Sequence, residues 1–187
     1  MPRAGLSPQV VVDAAAELAD RLGADAVTLA QVADHLGVRT PSLYNHVDGL
    51  AGLQRLLTLK ALGELEAVVH DAVGDTRGPE AVAALAHAYR AWAKSRPGLY
   101  SYVIPTTEGG DPEVAATGAR VLELVVDIVA SLGPEGEDAV HATRVLRAAI
   151  HGFISLELAG GFGLDLDLDE SYRVLVGAVI RGITAGR

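Results

Sequence analysis

The 187-residue sequence contains no cysteine. That excludes a disulfide framework and any thiolate-held metal, and a reducing cytoplasm fits it. Nowhere does it carry the ~18 successive uncharged apolar residues that suggest a spanning helix, so no membrane anchor is expected. Its first apolar run is broken by Asp13, Glu17 and Asp20, which leaves no apolar core for a secretory signal. Aromatic residues make up only 4%, with one tryptophan, Trp92. Positive charge is also scarce: 15 Lys and Arg stand against 24 Asp and Glu, a net charge of −9. A sequence-blind nucleic-acid binder needs a strongly basic field, so that class is excluded.

What is present is apolar and helical. Half the residues are hydrophobic and 21% are charged, a globular composition. The length suits one or two small domains with a core that needs no staples. Val11, Ala14, Ala15, Leu18 and Leu22 recur at helical spacing, with Asp13, Glu17 and Asp20 on the other face. Ser7-Pro8 opens that helix as N-cap and first-turn proline, and Gly23 closes it. Thr28 and Gln31 form the pattern of a capping box ahead of Leu29, Val32, Ala33 and Leu36. Gly37 stops this short helix, and Thr40-Pro41 opens the next one, again as N-cap plus proline. Longer helices are predicted over 50–73, 79–95, 112–132, 135–159 and 169–184, with a short aromatic segment at 99–104. No segment reads as a strand, so the expected fold class is all-α: a three-helix N-terminal module over 1–50 and a larger helical domain over 51–187.

Two short helices joined by a tight glycine turn are a helix-turn-helix pattern. Gly37 suits the turn because it takes positive φ freely, and Val38 would sit beneath it. In such a module the second helix enters the major groove with its N-terminal residues at the base edges. Leu43 and Val47 face inward, which leaves Arg39, Thr40, Pro41, Ser42, Asn45 and His46 for DNA. Arg39 can fork to guanine and Asn45 can pair with adenine. Thr28, at a helix N-terminus, is placed for a phosphate. Tyr44 reads either as a core aromatic or as a backbone contact.

The run Thr28-Leu29-Ala30-Gln31-Val32-Ala33-Asp34-His35-Leu36-Gly37-Val38, followed by Thr40-Pro41-Ser42-Leu43-Tyr44-Asn45-His46-Val47, resembles the DNA-binding domain of the TetR family over about residues 8–57. The resemblance implies a homodimer that reads a short palindromic operator in double-stranded DNA and responds to a small-molecule effector, as a repressor does. It implies phosphate contacts from Tyr44 and His46. The family often carries Lys near position 49, where this chain has Gly49. Residues 146–153 resemble a helix of one C-terminal subfamily named for a Trp-His-Gly motif; His151-Gly152 match, and Ala149 or Ile150 stands near the place of the tryptophan.

The charge splits unevenly. Residues 1–55 hold Arg3, Arg21, Arg39 and Arg55 against six acids, a net −2, and the remainder carries −7. Arg3, Arg39 and Arg55 are expected to cluster near DNA, while Asp13, Glu17 and Asp20 point away from it. In the second domain, His87, Tyr89, Trp92, Tyr100 and Tyr102, with His151, are candidates for the effector pocket, since such rings are apolar with a polar tip. Ala148, Gly152, Ser155 and Ala159 form one small-residue stripe; Ala178, Gly182 and Ala185 form another. Two such stripes suit a four-helix dimer interface built from two helices per subunit.

Other patterns carry less. The acidic stretch Asp165–Asp169 lacks the Gly and Glu of an EF-hand, having Glu170 and Val176 in their places. It reads as a solvated loop whose Asp169 and Glu170 favour the next helix N-terminus. Gly161-Phe162-Gly163 lacks the third glycine of a dinucleotide loop, with Leu166 there instead. Neither a HExxH nor a Gly-x-Ser-x-Gly motif occurs. No cofactor, metal or catalytic residue is expected. The rival readings are a small-molecule binding protein or helical enzyme with a vestigial helix-turn-helix, and an adaptor that binds proteins through the third helix.

Overall fold

The computed structural model describes residues 5–103 and 111–185. They form eight α-helices and no strand. In chain order these are α1 (Pro8–Leu22), α2 (Leu29–Leu36), α3 (Gly49–Val73), α4 (Gly78–Ser95), α5 (Pro97–Tyr100), α6 (Pro112–Ala130), α7 (Gly136–Leu158) and α8 (Leu168–Ala185). Short 3₁₀ segments occupy Ala24–Ala26 and Thr40–Asn45. The chain forms two compact units. Among the described residues the first takes 5–64, 96–103 and 111–117, and the second 65–95 and 118–185, so α3 and α6 contribute to both.

In the first unit the expected caps form. The Ser7 hydroxyl accepts from the Val10 amide, and Gly23 ends α1 at φ 89°. Thr28 Oγ1 accepts from the Gln31 amide at 3.3 Å, and Gln31 Oε1 accepts from the Thr28 amide at 2.9 Å. Val11, Ala15, Val32, Leu43, Leu53 and Leu57 are fully buried. Leu22, the last residue of the helix, is not; it lies half in solvent.

The acids of α1 each have a partner. Asp13 accepts from Lys60 at 2.8 Å, and that ammonium holds its carboxyl below the usual value. Glu17 lies 3.3 Å from His35. Asp20 Oδ2 accepts from Arg96 Nε at 2.6 Å, and its Oδ1 accepts from the Gly98 and Leu99 amides. Asp20 thus caps the N-terminus of α5, a helix too short to satisfy its own amides. Arg96 also meets Glu64, which pairs with Lys60.

The second unit is built on α4, α7 and α8. Leu85, Leu146, Ile154 and Tyr172 fill its core, and the Tyr172 hydroxyl donates to the Ala86 carbonyl at 2.8 Å. Arg90, though buried, is fully engaged. It donates to both oxygens of Glu157 at 2.7 Å and to Asp169 at 2.8 Å. Its guanidinium also lies 4.8 Å from the Tyr172 ring centre and 5.6 Å from that of Phe153, within cation–π range. Lys94 adds a second cation to Glu157 at 2.8 Å. Under Arg90 the Glu157 carboxyl falls to about 2. Asp169 therefore pairs with Arg90 and Glu170 with Arg173, while Asp167 Oδ1 accepts from the Asp169 amide at the start of α8. The acidic loop is anchored at its C-terminal end.

Candidate nucleic-acid interface

Gly37 makes the turn after α2 in the left-handed region, φ 65° and ψ 33°. Its amide and that of Val38 donate back to carbonyls of the last turn of α2, which leaves Val38 half-buried under the bend. The next segment begins one residue earlier than its sequence suggests. Arg39 takes the cap position without a side-chain bond, and Thr40 lies inside the helix as its first residue. The segment is 3₁₀ and not α: Ser42 donates to the Arg39 carbonyl and His46 to that of Leu43, both at 2.8 Å. Its brevity permits the tighter winding, since 3₁₀ geometry is used in short pieces.

That winding sorts the side chains into rows three residues apart. Thr40, Leu43 and His46 form one row, with Leu43 wholly buried and its neighbours half-buried. Arg39, Ser42 and Asn45 form the second, and Pro41 and Tyr44 the third. Arg39, Pro41, Tyr44 and Asn45 are exposed, and Ser42 is half-buried. Tyr44 is 61% exposed, so it is not a core aromatic. Val47 is buried as its spacing implies. Thr28 is exposed, but its amide and hydroxyl are both engaged with Gln31.

The cations divide sharply. Arg39 has no ion pair among the described residues. Lys60 and Arg96 are tied to carboxylates, and so is Arg55, which donates to Asp111 at 2.6 Å and also to Glu113. Arg55 was expected beside DNA. It is instead committed to the start of α6, where the Asp111 carboxylate, lowered by Arg55, also accepts from the Glu113 and Val114 amides. Arg3 lies outside the described residues. Gly49 sits at φ 64°, a conformation that L side chains rarely adopt, which gives a backbone reason for glycine at that place.

The remaining candidates lie as follows. Tyr89 and Trp92 are buried on α4, His87 is exposed with its ring edge-on to Tyr172, and His151 is half-buried on α7; all four belong to the second unit. Burial, with Arg147 nearby, lowers the His151 pKa. Tyr100 and Tyr102 belong to the first unit, where burial raises the Tyr102 pKa. Ile104, at the end of the aromatic segment, is outside the described residues. Ala148, Gly152, Ser155, Ala159, Ala178, Gly182 and Ala185 are all exposed, and a Cβ on Gly152 or Gly182 would meet open space.

A buried Leu43–Val47 seam beneath an exposed, short second helix defines a helix-turn-helix protein. Comparison with known sequences identifies which kind. Residues 11–47 match the profile described as bacterial regulatory proteins, tetR family, and residues 82–179 match the tetracyclin repressor-like C-terminal domain. The chain belongs to the TetR family of transcriptional regulators. It is 34% identical to the Bacillus subtilis HTH-type transcriptional regulator YobS over 97% of this chain and 95% of that one. A structure from Rhodococcus sp. RHA1 superposes with a TM-score of 0.81 at 25% identity, covering 97% of this chain and 98% of the other. The TetR family protein ActR of Streptomyces coelicolor, solved in complex with (S)-DNPA, has the same fold, with a TM-score of 0.67 at 19% identity over 98% and 99% of the two chains. Among the described residues no helix is long and apolar enough to cross a membrane.

Proposed function

We propose that the protein is a cytoplasmic, homodimeric repressor that binds a short palindrome and releases it when a small apolar or aromatic molecule occupies the second unit. The observation that carries the DNA-binding part is the free guanidinium of Arg39 on an exposed row with Ser42 and Asn45, in a unit where Arg55, Lys60 and Arg96 are consumed by acids. An unpaired Arg at the start of a recognition segment is placed to fork onto a guanine edge. Arg39, Ser42 and Asn45 read bases. Tyr44, Pro41 and Thr28 meet the backbone, with Thr40 and His46 setting register from the half-buried row. The exposed small-residue stripes of α7 and α8 support dimerisation, since nothing among the described residues covers them. The ActR complex supports a small-molecule effector in this fold; Tyr89, Trp92 and His151 are its candidate contacts here.

Selection of bound duplexes from a random pool tests this reading. The expected product is a palindromic site enriched by the wild type, with the preference at one base pair per half-site lost in Arg39→Ala. Enrichment of no sequence by the wild-type dimer would overturn it.

A further inference from the structure

Helices α7 and α8, joined by residues 159–167 and packed together, form an antiparallel hairpin. Its exposed charges lie in bands along it, with Glu137 and Asp138 at the start of α7 outside the cations. At the loop end Asp165 is exposed and has no ion pair among the described residues. Beside it Leu164 and Leu166 are 77% and 71% exposed, and the Leu166 amide donates to the Leu164 carbonyl in a tight turn. The loop is pinned on both sides, because Arg90 holds Glu157 at the end of α7 and Asp169 at the start of α8. Two outward leucines on a pinned loop are unlike a plain solvated linker.

At the far end of the hairpin, Arg144 on α7 and Arg181 on α8 are exposed and likewise have no ion pair among the described residues. Each lies about 20 Å from the loop along its helix, at about 1.5 Å per residue. Arg144 shares a face with Ala148, Gly152 and Ala159, and Arg181 shares one with Ala178 and Ala185. Val145, on the Gly152 face, is 55% exposed.

We infer that the Leu164–Asp165–Leu166 loop of one copy docks on the Arg144, Val145 and Arg181 end of a second copy. The inference rests on the dimer reading above and specifies its geometry. Two identical hairpins, each with an acidic loop and a band of cations at Arg144 and Arg181, bring those unlike charges together only when they pack antiparallel, and a two-fold axis then makes the contact twice. With the α7 helices crossing at Gly152, Arg144 lies about 12 Å to one side of the axis and the end of α7 about 10 Å to the other, so Arg144 and the partner's loop fall at one level. Glu137 and Asp138 lie about 21 Å out, past that level. The acidic loop is therefore an interface element, and its leucines give the contact an apolar centre.

Sedimentation of the full chain tests this. Asp165→Arg and the pair Arg144→Glu with Arg181→Glu should each raise the dimer dissociation constant about tenfold, or about 1.4 kcal/mol over two symmetric contacts. Mixed together, the two variant proteins should form a heterodimer tighter than either homodimer, since both contacts then join unlike charges. Asp165→Asn should weaken the wild-type dimer; tightening would mean like charges face each other in a parallel packing, and would overturn the inference. If Gly152→Leu gives monomer while the charge variants leave dimerisation unchanged, the loop contact is wrong and the four-helix interface stands. If Gly152→Leu and Gly182→Leu both remain dimers, the interface reading itself falls, and the loop contact with it.

Discussion

A Cβ placed on Gly98 would lie 2.1 Å from the carbonyl carbon of Ala19 and 2.3 Å from its oxygen. The obstacle is backbone, so neither partner can swing aside. The contact lets α5 lie against the last turn of α1, where Asp20 takes the Gly98 amide. Gly98→Ala is expected to destabilise the protein by about 3 kcal/mol, the upper range for overpacking. Gly63→Ala, mid-helix in open space, should instead stabilise it by about 0.5–1 kcal/mol. Urea denaturation of both variants checks the contrast.

Arg39→Ala should cost about 1–3 kcal/mol in operator binding and relax preference at one base pair per half-site. Tyr44→Phe should weaken every site alike, because backbone contacts position and base contacts specify. A base-substitution panel titrated with both variants separates these patterns; the reverse result would reassign the two rows.

Salt dependence should be shallow. With Arg55 committed to Asp111 and Glu113, a dimer neutralising about two to four phosphates should show a log–log slope of roughly −2 to −4, at about −0.9 per phosphate. Lysine at Gly49 is a poor probe because φ is 64° there. Leu50→Lys, one residue on and exposed, should steepen the slope by about two, one per subunit. A wild-type slope near −10 would show that further cations reach the DNA.

Acid should loosen the second unit through Glu157. Its carboxyl titrates near 2 when folded against an ordinary 4.5. A folded value below the unfolded one stabilises above pH 4.5, and that contribution is lost as pH falls toward 2. The gap amounts to about 3 kcal/mol. Glu157→Gln should therefore lower stability at pH 7 and flatten its decline between pH 4.5 and 2. Urea midpoints measured across that window test it; an unchanged acid limb would remove Glu157 as the cause.

Local patterns in the sequence foretold local structure. The caps at Ser7 and Thr28, the turn at Gly37 and the inward Leu43 and Val47 follow from propensity and spacing within a few residues, and all five formed. What spacing could not reveal was partnership across the chain. Asp20 looks like a surface acid in its own helix, yet its partners are 76 to 79 residues away. Arg55 looks like a free cation until Asp111 is brought to it, 56 residues on. The tighter winding of Thr40–Asn45 was hidden for another reason: six residues are too few for the 3.0 and 3.6 periods to diverge. The small-residue stripes were visible in the sequence, but only the fold shows that the described residues leave them uncovered.

The capture of Arg55 by Asp111 and Glu113 also bears on how the protein finds its site. Sliding along a chromosome depends on sequence-blind attraction to phosphates, which each cation strengthens. A regulator with a sparse cationic face leaves random duplex quickly and searches by repeated encounters from solution. Fewer molecules are then held on the ~10⁶–10⁹ competing genomic positions. On the proposed repressor reading, a small number of copies would fill the operator and a small amount of effector would clear it.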